Sequence, residues 1–371
     1  MADQLLGFLR LARTEGVGPI TYRRLLARFS GPEEALDALP ALAKSGGRTT
    51  PLKIPSMGEV EREYHAVLKL GGRFLFLDQP DYPEALAELS DAPASIAVLG
   101  DAELISKAGI SIVGARNASA NGMRLAMHLS AELAQSFPVI SGLARGIDAA
   151  AHEGALRAGR TIAVIAGGLD VPYPAENKDL QRRIAENGAV VAEAPLGTAP
   201  IGRHFPKRNR IVAGLCLGVV VIEAAARSGS LLTARLAAEA GREVFAVPGS
   251  PLDPRARGGN DLIRQGAHLT ETAEDVFNNL PQHPALRRAS LTGFAEPAVL
   301  WEDDDGSESD DVMHAREMIL TLLSADPVAV DEIARRCQLS MNAIKAAILE
   351  LELAGHIQSL AGDRVALPED P

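Results

Sequence analysis

The 371-residue chain has two cysteines, Cys216 and Cys337, far apart and in unlike contexts. That scarcity argues against a disulfide framework or a cysteine metal site and points to reduced, buried thiols in a cytosolic protein. Apolar runs stop at about a dozen residues, short of the roughly 20 that span a bilayer. The first ten residues lack a basic stretch followed by a long apolar one, so no secretory signal is expected. Acidic residues are absent from 194 to 222, a stretch that carries Arg203, Lys207, Arg208 and Arg210.

What is present points to a large core and more than one domain. Hydrophobic residues make up 47% of the chain, enough to exclude global disorder, and the length suggests two or three domains. The net charge is −11, but residues 301–311 hold seven acids and no base, which leaves −4 for the rest. Residues 95–280 hold 19 Lys and Arg against 18 Asp and Glu. A nucleic-acid partner therefore stays open, provided the positive charge is focused on one face.

Residues 1–90 read as a small helical domain. The turn Gly16-Val17-Gly18 between two short helices fits either a helix-hairpin-helix, whose amides contact phosphate, or a plain tight turn. Residues 91–280 alternate short β-branched runs (96–99, 110–113, 139–140, 161–165, 190–191, 217–222 and 243–247) with helical segments (119–135, 147–158, 177–186 and 231–240). Runs apolar on both faces suit parallel strands covered by helices, so the expected fold is α/β, a Rossmann-like doubly wound, mostly parallel sheet. Residues 281–312 read as a Pro-rich and then acidic linker, either a passive tether or a mimic of DNA. Residues 313–371 read as helix, helix-turn-helix and hairpin, the order of a winged helix.

Ligands of such sheets bind beyond the carboxyl ends of the strands, and the loops there are phosphate-compatible. Gly114-Ala115-Arg116 follows a strand and precedes a helix, but Arg116 stands where a dinucleotide fingerprint needs glycine. That argues against NAD and for a phosphate oxygen met by guanidinium. Ser141, Gly142, Ala144, Arg145 and Gly146 set a second strand-to-helix turn. Asp148 and His152 follow it and read as metal or acid/base groups or as structural hydrogen-bonding groups; with no third ligand nearby, structure is favoured. Phe205, Lys207, Arg208, Asn209 and Arg210 form a basic loop, with residues 211–222 as the strand after it. Ser228-Gly229-Ser230 fits a helix N-terminus receptive to anions. No Ser-His-Asp order, Walker lysine loop or Cys/His cluster appears, so neither a catalytic group nor a cofactor is expected.

The strings Ser141-Gly142-Leu143-Ala144-Arg145-Gly146-Ile147-Asp148, Gly168-Leu169-Asp170 with Tyr173-Pro174, Phe205-Pro206-Lys207-Arg208-Asn209-Arg210-Ile211, Glu223-Ala224 with Ser228-Gly229-Ser230, and Val247-Pro248-Gly249 resemble, in order and spacing, the DNA-processing protein A (DprA/Smf) family. The resemblance implies a cytoplasmic, non-catalytic protein that binds single-stranded DNA, forms a homodimer through its Rossmann-like domain and loads the recombinase RecA in natural transformation. It also implies an N-terminal domain of sterile-alpha-motif type. Carried onto matching positions, it favours Arg116, the turn from Ser141 to Gly146, and Lys207 to Arg210 as DNA contacts. Arg208 and Lys207 would face phosphate, Asn209 and Arg210 would brace the loop, and Phe205 is either a stacking ring or core. Two competing readings are a phosphoribohydrolase-like nucleotide enzyme, whose Pro-Gly-Gly-x-Gly-Thr motif is missing here, and a duplex-DNA regulator. The regulator's expected recognition helix has Lys345 as its single cation.

Overall fold

The computed structural model of the protein describes residues 2–280, 308–323 and 326–368. Contacts divide it into two compact units, one of residues 1–62, 90–94 and 293–371, the other of residues 63–89 and 95–292.

The first unit opens with α1 (Ala2–Ala12), α2 (Pro19–Arg28) and α3 (Pro32–Ser45); α4 (Met57–Lys69) starts in it and runs into the second. Gly16 holds φ at +79° in the turn before α2, and Pro19, which has no amide hydrogen to leave unpaired, starts that helix.

The second unit is a nine-stranded sheet. Its elements are β1 (Gly72–Phe76), α5 (Glu84–Ala87), β2 (Ser95–Gly100), β3 (Gly109–Gly114), α6 (Ala120–Leu133), β4 (Val139–Ser141), α7 (Ile147–Ala155), β5 (Thr161–Ile165) and α8 (Lys178–Asn187). Then come β6 (Ala189–Ala192), α9 (His204–Gly214), β7 (Cys216–Ile222), α10 (Gly229–Glu239), β8 (Glu243–Ala246), α11 (Arg257–Arg264), β9 (His268–Leu269) and α12 (Ala273–Asn279). The strand order is β1-β2-β6-β5-β4-β3-β7-β8-β9. In that order the strands from β6 through β9 are parallel to one another, and β2, antiparallel to β6, and β1, antiparallel to β2, add an antiparallel edge.

Every residue of β5 and of β7 is buried, as strands covered on both faces require. Ile110 and Ile112 of β3 pack with Leu129 and Leu133 of α6 and Ile147 of α7. Ser111, between them and hence on the opposite face, donates to the Val212 carbonyl of α9 at 2.8 Å. Helices thus cover both faces. The chain leaves β3 toward β4 on one side and later returns to place β7 on the other, so the strand order reverses at the β3/β7 junction, where such sheets form a crevice.

The first unit resumes with α13 (Glu308–Leu322), β10 (Val328–Ala329), α14 (Val330–Cys337), α15 (Met341–Ala354), β11 (Gln358–Leu360) and β12 (Arg364–Ala366). The three strands pair in the order β10-β12-β11, completing a winged helix around Ile319, Ile333, Ile344, Ile348 and Val365.

Three expectations need correction. Residues 72–76 are a sheet strand, β1, and not part of a purely helical domain. The basic stretch 203–210 is not a loop: apart from Arg203 it lies in α9, and the strand after it begins only at Cys216. Residues 308–311 of the acidic run belong to α13, so the winged helix starts before residue 313. The linker expectation for 281–307 lies outside the described residues.

Candidate nucleic-acid interface

The loops after β3 and β7 meet at the reversal point and are tied together. Ser119 caps α6, its hydroxyl accepting from the Gly122 amide at 2.9 Å. It donates its hydroxyl to Glu223 Oε1 and its amide to Glu223 Oε2, the latter at 2.8 Å. Glu223 follows β7 at φ +50°. Gly114 allows the two strand ends to close up, since a Cβ there would overlap the Ile222 carbonyl oxygen.

The turn after β4 is set by backbone geometry. Leu143 and Gly146 lie at φ +56° and +73°, and a side chain on Gly146 would strike the carbonyls of Ala115 and Arg116. Asn177 holds the turn from outside, donating to the Leu143 carbonyl at 2.9 Å and the Ala144 carbonyl at 3.3 Å. Asp148 holds it from below by accepting from the Ala144 amide at 3.3 Å. Burial pushes the Asp148 carboxyl above its ordinary range, opposed chiefly by the Arg208 guanidinium.

Arg208 does not face solvent. It is 6% exposed and donates Nη1 to the carbonyls of Gly142 and Val164, the second at 2.6 Å. Burial pulls its pKa down to about 10, so it stays charged at neutral pH. Gly142 is glycine because a Cβ there would occupy the position of this guanidinium. Arg210, 9% exposed, pairs with Glu193, and Asn209 donates to the Gly229 carbonyl at 3.4 Å. The expected division of labour therefore changes: Arg208 joins Asn209 and Arg210 in bracing α9. Ser141 is also internal, wholly buried and donating to the Ile112 carbonyl at 2.6 Å.

The exposed part of the expected set is Arg116, Arg145, Lys207 and Gly229, with Gly114, Ala144, Gly146, Phe205, Asn209 and Ser228 half-buried. The Arg116 guanidinium lies over the Phe205 ring, 4.9 Å from its centroid, and the Tyr173 ring stands tilted beside Phe205, 5.8 Å between centroids. Two adjoining clefts share Arg116, Phe205 and Arg208. One, of about 610 Å³, runs past Gly114 to Ser228, Gly229 and Ser230. The other, of about 520 Å³, runs past Arg145 to Tyr173. Ser228 caps α10, its hydroxyl accepting from the Ser230 amide at 3.3 Å. Arg145 pairs with Glu176 at 2.6 Å while more than half exposed, a pairing that costs little to exchange for another anion.

Tyr173, half exposed beside Phe205, and Glu223 were missed as site residues from sequence. Both stood in the strings that carry the family resemblance, Tyr173 as an aromatic in a Gly- and Pro-rich loop and Glu223 directly after a strand, but neither was assigned a role. His152 is wholly buried, its Nδ1 2.7 Å from Thr161 Oγ1, and burial lowers its pKa to about 3. That is the environment of a neutral structural histidine. Among the described residues no group of three or more His, Cys, Asp or Glu is placed to hold a metal ion.

The stretch that carries these residues also matches known proteins. Residues 73–281 match the family model described as DNA recombination-mediator protein A. The chain belongs to the DprA family. Residues 2–66 match the DprA-like N-terminal HHH domain, and residues 307–363 match the DprA winged helix domain. A Smf protein of Synechocystis is 32% identical over 96% of this chain and 97% of its own. A DprA of Bacillus subtilis is 46% identical over 56% and 70%. Among solved structures, DprA from Streptococcus pneumoniae superposes with a TM-score of 0.65 at 34% identity, covering 76% of this chain and 99% of the other. Helicobacter pylori DprA, whose structure is described by its single-stranded DNA binding mode, gives a TM-score of 0.51 at 31% identity, covering 56% and 95%.

Proposed function

We propose that this DprA-family chain binds single-stranded DNA without sequence preference in the paired clefts and, without catalytic turnover, delivers it to the recombinase RecA. The observation that carries the DNA reading is the corner of Arg116, Phe205 and Tyr173. It sets an exposed cation and two partly exposed rings at the sheet's reversal point, beside the amide-bearing start of α10. Cations follow a phosphate backbone, and rings stack bases of any identity. The family description as a recombination mediator and the single-stranded DNA bound by the Helicobacter pylori relative support the same reading. A homodimer through the nine-stranded unit, working in the cytoplasm during natural transformation, completes the proposal and rests on the family resemblance.

The test is an oligonucleotide titration across salt concentrations. Arg116→Ala with Lys207→Ala should weaken binding at least tenfold and reduce the slope of log affinity against log salt by about 1.4, at roughly 0.7 per single-strand phosphate contact. Unchanged affinity and slope would rule out this site. A strand-loading assay with purified RecA tests the delivery step separately.

A further inference from the structure

Within the first unit, the winged helix and the N-terminal helices cover each other. α15 is the helix that in a duplex-reading domain of this kind lies in the major groove, yet it is apolar on two opposite faces. Ile344, Ala347, Ile348 and Leu351 fill the winged helix's own core. Leu349 and Leu353 project from the other side, given a turn of about 100° per residue, and are 3% and 0% exposed. α2 and α3 pack against this helix.

The approach is close enough to explain a glycine. Gly46 ends α3 at φ −68° and ψ −3°, a conformation open to any residue. A Cβ at Gly46 would nevertheless overlap the Glu350 carbonyl and stand 3.0 Å from Ala354 Cβ. The rim is ionic. Arg24 donates to Ser359 Oγ at 2.8 Å and lies 3.6 Å from Glu352 and 3.5 Å from Asp363. Arg48 donates to the Leu353 carbonyl at 3.3 Å. A Cβ on Gly16, in the glycine turn before α2, would stand 3.9 Å from that same carbonyl oxygen.

We infer that α15 is a docking helix: its second apolar face and Glu352 are committed, within one chain, to the α2–α3 face of the helical domain that carries Arg24. The winged helix therefore serves as a cover for that face rather than as a reader of duplex DNA. Its occupant is fixed by complementarity, because Glu352 and Asp363 meet Arg24 while Leu349 and Leu353 supply the buried stripe. Lys345 is the single cation on α15, too few to follow two phosphate strands.

Spin labels at Asp37→Cys and Arg335→Cys, both exposed positions, test this in the full chain by electron–electron distance measurement. The unsubstituted background should give one narrow distance that survives dilution with unlabelled protein. Gly46→Leu, which wedges α3 from α15, should spread the distribution to longer distances. Arg24→Glu, which leaves the packing glycine in place, should do the same to a smaller extent, and increasingly with added salt. A distribution already broad before substitution, or one left narrow by both variants, overturns the inference. A distance that vanishes on dilution overturns the within-chain assignment in favour of exchange between copies. Sequence-selective duplex binding lost on Lys345→Ala overturns the cover role.

Discussion

At the residue scale, the site separates cations that touch solvent from two, Arg208 and Arg210, that turn inward. Arg208 sits under the cleft, its Nη1 committed to two carbonyls and its charge set against Asp148. Removing it strands a buried carboxyl and two buried acceptors, so Arg208→Ala should destabilise the protein by about 3 kcal/mol, read as a shift in urea midpoint. Lys207→Ala, at an exposed position, should leave the midpoint within roughly 0.5 kcal/mol and weaken DNA binding alone. His152 makes a prediction with a definite sign. Its folded pKa is about 3 against an ordinary histidine value of 6.5, so between those values the unfolded chain takes up a proton that the folded one refuses. Stability is then fully present above pH 6.5 and falls as pH drops toward 3, by about 1.4 kcal/mol per unit once the unfolded histidine is protonated. His152→Gln should flatten that fall by roughly 2 kcal/mol at pH 5. Denaturation of both proteins at pH 7 and pH 5 checks it, and taking the difference cancels the contribution of the carboxylates, which both proteins share.

At the element scale, the parallel strands were legible and α9 was not. Strands such as Cys216–Ile222 announce themselves because a two-sided core demands unbroken apolar residues. α9 hides because its first turns carry Pro206, Lys207, Arg208 and Asn209 with no apolar stripe. Pro206 is tolerated there because the first helical turn has no amide bond to lose. β1 was lost for a related reason: its Phe74 and Phe76 follow α4 directly and pair only at the sheet's antiparallel edge. The glycine turns, by contrast, were read correctly as sharp strand-to-helix connections. Which side chains they would meet depends on strands far away in sequence. The link between β3 and β7 gives a test at this scale. Ser119→Ala removes an N-cap and one ligand of Glu223, so α6 should lose about 1 kcal/mol and DNA affinity should drop though no cation has changed. Intact affinity at full stability would show that the two loops work separately.

At the scale of the whole molecule, two units carry two kinds of surface. The acidic sum of −11 hid a balanced central domain, and only the fold shows where Arg116 and Lys207 reach the surface while Arg208 and Arg210 turn inward. The order of the three domains was readable from periodicity. The face shared by α3 and α15 was not, because Leu349 and Leu353 look like ordinary core positions until a second body is seen against them. If single-strand binding belongs to the nine-stranded unit alone, Gly46→Leu should leave it unaltered, and its effect should add to that of Arg116→Ala without coupling. A double-mutant cycle on oligonucleotide affinity measures this directly, with a coupling beyond about 0.5 kcal/mol counting against independence.

The bond set of Glu223 has a thermodynamic side as well. Because one carboxylate at the start of the loop after β7 holds the end of the loop after β3, through the amide and hydroxyl of Ser119, the crevice is shaped before any strand arrives. Little backbone ordering is left for the encounter itself, and the unfavourable entropy that calorimetry records should come from the nucleic acid, which gives up its own freedom to lie along a rigid protein edge.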